Sequence, residues 1–118
     1  DQDGRIDLVV TQNGASTKLY RNQVDRLGMR IILVGNSRNP DAIGASVRVR
    51  YGVELGPAKA VVSGGGYWSQ DSRVKIFPRD QASSVLVTWP DGETTDVPLP
   101  ETGREVKISR DGSVQLVP

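Results

Sequence analysis

No stretch of twelve residues in this chain carries an uninterrupted apolar stripe at i, i+3, i+4 and i+7. Nothing in it is therefore patterned to bury one face as a long amphipathic helix, and the nearest helical candidate is the short Asn22–Leu27 segment. Glycine and proline instead punctuate the sequence at the spacing of about 8 to 12 residues expected of sandwiches and barrels. Val occurs 16 times against 8 for Leu, and β-branched side chains pack well on a pleated surface. The expected class is all-β: a small β-sandwich or partly open β-barrel of about seven to nine short antiparallel strands.

The strands can be placed one by one. Ile6, Leu8 and Val10 alternate in the first, and Met29–Val34 is almost wholly apolar, as a central buried strand should be. Val47, Val49 and Tyr51 share one face while Ser46, Arg48 and Arg50 share the other. Ala58–Val62 and Arg73–Phe77 flank a glycine tract. Val85–Trp89 and Thr94–Val97 are joined by Pro90-Asp91-Gly92, where proline presets φ and glycine accepts a positive one. Last, Val106 and Ile108 face Val114 and Leu116 across Arg110-Asp111-Gly112.

Composition then narrows the chemistry. Neither histidine nor cysteine occurs among the 118 residues. Imidazole acid–base catalysis, thiol nucleophiles, disulfides and Cys/His zinc sites are excluded, and only oxygen-ligand metal sites stay open. A net charge of +1 gives no bulk field for nucleic acid. The longest apolar run, Ile31–Val34, is far too short for a membrane-inserted helix. Charge is nonetheless uneven: seven basic and two acidic residues lie between 18 and 50, whereas five acidic and one basic lie between 91 and 105. Such segregation either steers a partner or reflects an ordinary solvated surface.

The N-terminus reads Asp1-Gln2-Asp3-Gly4-Arg5-Ile6-Asp7, the later part of a D-x-D-x-D-G-x-x-D calcium loop. Asp1, Asp3, the Arg5 carbonyl and Asp7 could converge on Ca²⁺, which takes six to eight oxygens. The loop's first carboxylate would precede Asp1, so the chain is expected to be a fragment that binds Ca²⁺ fully only in its parent. Followed by Asp7–Gly14 and Lys18-Leu-Tyr-Arg-Asn22, this loop resembles the end of an FG-GAP (VCBS-type) repeat. The resemblance implies a β-propeller remnant over residues 1–22 and an exported protein, extracellular or periplasmic. Residues 23–118 would form the main β domain.

Three further motifs follow in order: Asn36-Ser-Arg-Asn-Pro-Asp-Ala-Ile-Gly-Ala45, Ser63-Gly-Gly-Gly-Tyr-Trp-Ser-Gln70 and Val87-Thr-Trp-Pro-Asp-Gly92. Together they resemble the ASPIC/UnbV domain, which is found after FG-GAP repeats and takes part of its name from enediyne antibiotic gene clusters. Where that family tends towards a Phe-Gly-Leu-Gly-like turn, this chain has Phe77-Pro78-Arg79-Asp80. The resemblance implies an accessory module with no established catalytic residues.

The motifs also have a physical reading. Asn39-Pro40-Asp41 starts a turn and Gly44 admits the chain to the next strand, though Arg38 and Asp41 could also contact a ligand. Gly64, Gly65 and Gly66 permit close backbone approach and an anion nest, but no Lys-Ser/Thr follows to make a phosphate loop. Tyr67 and Trp68, if in a strand, point to opposite faces, so one is free to stack on a sugar or aromatic ligand. Trp89, alternating with Val85 and Val87, should cap the core. A carboxylate pair such as Asp91 and Glu93 could in principle act as acid and base, but both flank an exposed turn. The expected function is noncatalytic binding of a protein or glycan at the cell surface, with a small carbohydrate or aromatic natural product as the alternative.

Overall fold

The computed structural model describes residues 5–117. It is all-β, with eleven strands and no helix among the described residues. They are β1 (Leu8–Gln12), β2 (Ala15–Tyr20), β3 (Gly28–Val34), β4 (Ser46–Tyr51), β5 (Glu54–Leu55), β6 (Lys59–Ala60), β7 (Lys75–Pro78), β8 (Ala82–Thr88), β9 (Thr94–Pro98), β10 (Glu105–Ser109) and β11 (Val114–Val117). The Asn22–Leu27 candidate is not helical; Asn22 instead turns its side chain back to accept the Val24 amide. Helical spacing without apolar content to bury does not make a helix.

Two sheets build the sandwich. One runs β11-β10-β3-β7, and the other runs β5-β4-β8-β9 with β6 added against β4. The valines predicted to point inward do so: Val47, Val49, Val85 and Val87 are completely buried. They meet Met29, Ile31, Phe77, Val106 and Ile108 from the opposite sheet in one core. Each such side chain stabilises the fold by about 1.5–3 kcal/mol relative to exposure. Neither sheet closes on itself, so the sandwich, not the barrel, is realised.

Three details correct the strand-by-strand expectation. First, β10 pairs with β3 in parallel, Val106 opposite Ile31 and Ile108 opposite Leu33. The chain leaves β3, builds the second sheet, and returns in the same direction. Alternation marks which face is buried, but it is silent on the direction of strands seventy residues apart. Second, Gly52, at φ 60°, makes a tight β4–β5 hairpin that the apolar pattern does not announce. Third, Ala58–Val62 contributes only the two residues of β6, because the glycine tract that follows has no side chains to extend the ladder.

The β1–β2 hairpin stands apart as a two-stranded sheet. Leu8, Val9, Leu19 and Tyr20 are all exposed on it. Its base is closed by Asn22, whose amide donates to Asp7 Oδ1 at 2.9 Å and whose carbonyl accepts from Arg5 Nη1 at 3.4 Å. The segregated charges are also rearranged by folding. Arg30 pairs with Glu105 and Arg50 with Asp96, so two of the basic residues neutralise two of the acidic ones. The sequence-level asymmetry does not survive as one opposed field.

Candidate functional site

The loop between β6 and β7 is anchored before it leaves the sandwich. Val61 is buried, donates to the Ala45 carbonyl at 2.8 Å and accepts from the Gly44 amide at 2.8 Å. From there the chain projects as a short hairpin closed at Gly66 and Ser69. Gln70 stiffens its base: Oε1 accepts the Gly64 amide at 3.2 Å, and Nε2 reaches the Val62 carbonyl at 3.5 Å. A Cβ on Gly65 would meet the Asp71 carboxylate and one on Gly66 the Ser69 hydroxyl, tips of exposed side chains that can turn aside.

Tyr67 and Trp68 occupy the tip of this hairpin. They are 92% and 91% exposed. Neither is core and neither is in a strand, so the expectation of opposite faces is corrected. A turn places adjacent side chains side by side: the ring centroids are 6.2 Å apart, with planes at 74°. Trp68 also holds a left-handed φ of 54°, which costs a non-glycine residue about 1–2 kcal/mol. A bulky apolar side chain kept in strained backbone and open solvent does no work for the fold. Strain of this kind gathers at binding sites.

The other candidate residues are placed differently. In the loop 36–45, Asn36 Oδ1 accepts the amides of Arg38 and Asn39, both at 3.0 Å. Asn39 grips Ile43 twice, donating Nδ2 to its carbonyl at 2.8 Å and accepting its amide at 3.0 Å. These asparagines hold the chain, as the turn reading requires. Arg38 lines a cavity of about 250 Å³ with Trp89, Asp91 and Arg110. Asp41 is not beside it but forms an ion pair with Arg73, bracing the base of the aromatic loop. The structure therefore separates Arg38 from Asp41 and puts Asp41 in a supporting position.

At the calcium-like loop, Asp1 and Asp3 lie outside the described residues. Asp7 engages the Asn22 amide, and among the described residues no group of three or more acidic side chains could hold a metal ion.

Asp91 and Glu93 both bind Arg110, the second at 2.6 Å. The Arg110 guanidinium holds the Asp91 carboxyl below its usual range, so Asp91 stays ionised and is unsuited to donate a proton. A carboxyl with a depressed folded-state pKa stabilises the fold above its unfolded value and loses that contribution as pH falls through the folded one. Wild type should therefore melt higher than Asp91→Asn near neutrality, with the gap shrinking below about pH 4. Melting curves at several pH values check this; a gap that widens in acid contradicts it.

Residues 35–115 match the family described as ASPIC and UnbV. The chain belongs to that family. No curated protein matches it significantly. In this ASPIC/UnbV chain the matched segment starts where β3 ends and finishes in β11, so it takes in all three motif segments but not the β1–β2 hairpin. The departure at Phe77-Pro78-Arg79-Asp80 does not cost the domain its turn. Gln81 adopts the positive φ of 60°, the Ala82 amide closes on the Arg79 carbonyl, and the Arg79 guanidinium bonds to the Pro100 carbonyl. Sequence reasoning missed the bracing roles of Gln70 and Arg73. Their signal was only their place at the foot of the glycine tract.

Proposed function

We propose that this ASPIC/UnbV domain is a noncatalytic binding module that presents Tyr67 and Trp68 to a glycan at the cell exterior. The observation that carries the reading is the near-complete exposure of two adjacent aromatic rings on a hydrogen-bonded loop. Exposed Trp and Tyr are costly to keep in water and supply large, rigid contact area when a partner covers them. The apolar face of a sugar ring can stack on the indole while the tyrosine hydroxyl meets the sugar's own hydroxyls. A flat polyaromatic ligand, the second candidate, fits less well, because rings inclined at 74° cannot both stack on one plane. The resemblance of residues 1–22 to an FG-GAP repeat supports the exported setting. Calcium belongs to this reading only through Asp1, Asp3, the Arg5 carbonyl and Asp7 of that repeat's loop.

Two tryptophans with opposite burial make the test direct. In a Trp89→Phe background Trp68 is the only indole, and its emission should be that of a solvated ring. Titration with a panel of glycans should quench or shift that emission saturably for at least one of them. Flat emission across the panel, or a response confined to polyaromatics, overturns the glycan assignment.

A further inference from the structure

The hairpin that carries Tyr67 and Trp68 leads, through Gln70 and Asp71, into the lining of a cleft of about 450 Å³. That volume falls within the range of about 300–1,000 Å³ usual for ligand pockets. The lining is mixed: Ile32 and Val74 are apolar and half-buried, whereas Asp41, Asp71 and Arg73 are charged. Asp71 belongs to both places, since its carboxylate lies where a Cβ on Gly65 of the hairpin would be. Trp68 and Asp71 are three residues apart, at most about 11 Å along the chain. One short oligosaccharide can therefore reach from the indole into the cleft.

We infer that this cleft is a second sugar subsite beside the aromatic tip, that the ligand is an uncharged oligosaccharide, and that Asp71 is a specificity-determining residue. The inference rests on the glycan reading above and extends the same site.

The chemistry of the lining matches a sugar on each count. Ile32 and Val74 offer an apolar surface to the C–H face of a pyranose ring. Hydroxyls both donate and accept, and the cleft supplies both kinds of partner. Asp41 is taken by Arg73, so Asp71, on an exposed position, is the carboxylate left to accept from hydroxyls. The pair with Asp41 engages Arg73 Nη1, and the guanidinium has further N–H donors to offer. Lys75 stands beside the cleft, its Nζ donating to the Ser72 carbonyl at 3.2 Å. Two acids thus face two bases, and the cleft has no net field to hold a ligand of fixed charge.

The test uses the ¹⁵N-labelled chain and a set of tetrasaccharides. Cellotetraose, mannotetraose, maltotetraose and chitotetraose are the uncharged probes, tetragalacturonate and a heparin tetrasaccharide the acidic ones, with the parent monosaccharides alongside. At least one uncharged probe should shift the amides of Tyr67–Gln70 and of Ser72–Val74 together, and its monosaccharide should bind about tenfold more weakly. Asp71→Ala, a change on an exposed side chain, should weaken that tetrasaccharide about tenfold and confine the remaining shifts to the hairpin. Four results overturn the cleft and leave the aromatic tip as a glycan site: shifts confined to the hairpin in the wild type, an Asp71→Ala affinity within about twofold of wild type, a monosaccharide as tight as its tetrasaccharide, or acidic probes bound as tightly as uncharged ones. No saturable shift with any probe overturns this inference together with the glycan reading beneath it.

Discussion

Trp89→Ala should remove about 3–5 kcal/mol of stability, the cost of emptying a large aromatic site in a packed core. Only 3% of Trp89 is exposed, and it belongs to the same buried core as Ala42 and Val87. Its indole also serves a polar chain. Nε1 donates to Thr95 Oγ1 at 2.8 Å, and that hydroxyl donates to the Arg110 carbonyl at 3.4 Å. Truncation leaves both a cavity and a part-buried hydroxyl short of a partner. Domains of this size hold about 5–15 kcal/mol in total, so the variant should be close to unfolding at physiological temperature. Trp89→Phe keeps most of the volume and should cost less than the alanine change. Urea denaturation followed by circular dichroism separates the two; an alanine variant within about 1 kcal/mol of wild type would remove Trp89 from the core.

Gly35→Ala should be the most damaging single methyl that can be added. Gly35 follows β3 and its amide bonds to the Pro40 carbonyl at 2.9 Å, closing the 36–45 loop on itself. A Cβ there would sit 1.9 Å from the Asn39 carbonyl oxygen and 3.1 Å from the Ala42 nitrogen. Both are backbone atoms, and the Ala42 amide donates to the Asn39 carbonyl at 3.1 Å, so neither can swing aside as a side chain would. Overpacking of this kind costs about 1–3 kcal/mol and sometimes more. Gly92→Ala is the control. Its φ of 88° carries a conformational cost near 1 kcal/mol, but nothing lies within 4 Å of its Cβ. Thermal melting should place Gly35→Ala below Gly92→Ala. The opposite order would show that the loop yields where its hydrogen bonds say it holds.

These two sites also mark how far the sequence could be read. Period-two alternation located Val47, Val49, Val85, Val87, Val106 and Ile108, because a half-buried strand must sort its faces by polarity. The Pro90–Gly92 and Arg110–Gly112 turns were legible for the same local reason, and Gly92 and Gly112 take the positive φ expected of them. What escaped was not local. The parallel pairing of β10 with β3, the cancellation of Arg30 by Glu105, and the bond between Asp41 and Arg73 join residues far apart in the chain. Tyr67 and Trp68 were given strand geometry but sit at a hairpin tip, since a glycine tract followed by aromatics reads equally well as a bulge or a turn. A cavity of about 280 Å³ lined by Phe77 had no sequence signature at all, since Arg5, Arg26 and Lys59 beside it are brought together only by folding.

On the proposed reading the aromatic tip exists for a partner and not for the fold. The measurement that tests it is titration calorimetry of the best-binding glycan against wild type and a Tyr67→Ala/Trp68→Ala variant, matched for melting temperature. The variant should melt within the range of an ordinary surface change, about 0.5 kcal/mol, because both rings are already in water. Its affinity should fall by about thirtyfold, the loss of roughly 2 kcal/mol that marks an aromatic hot spot. Unchanged affinity, or a variant that no longer folds, would contradict the claim.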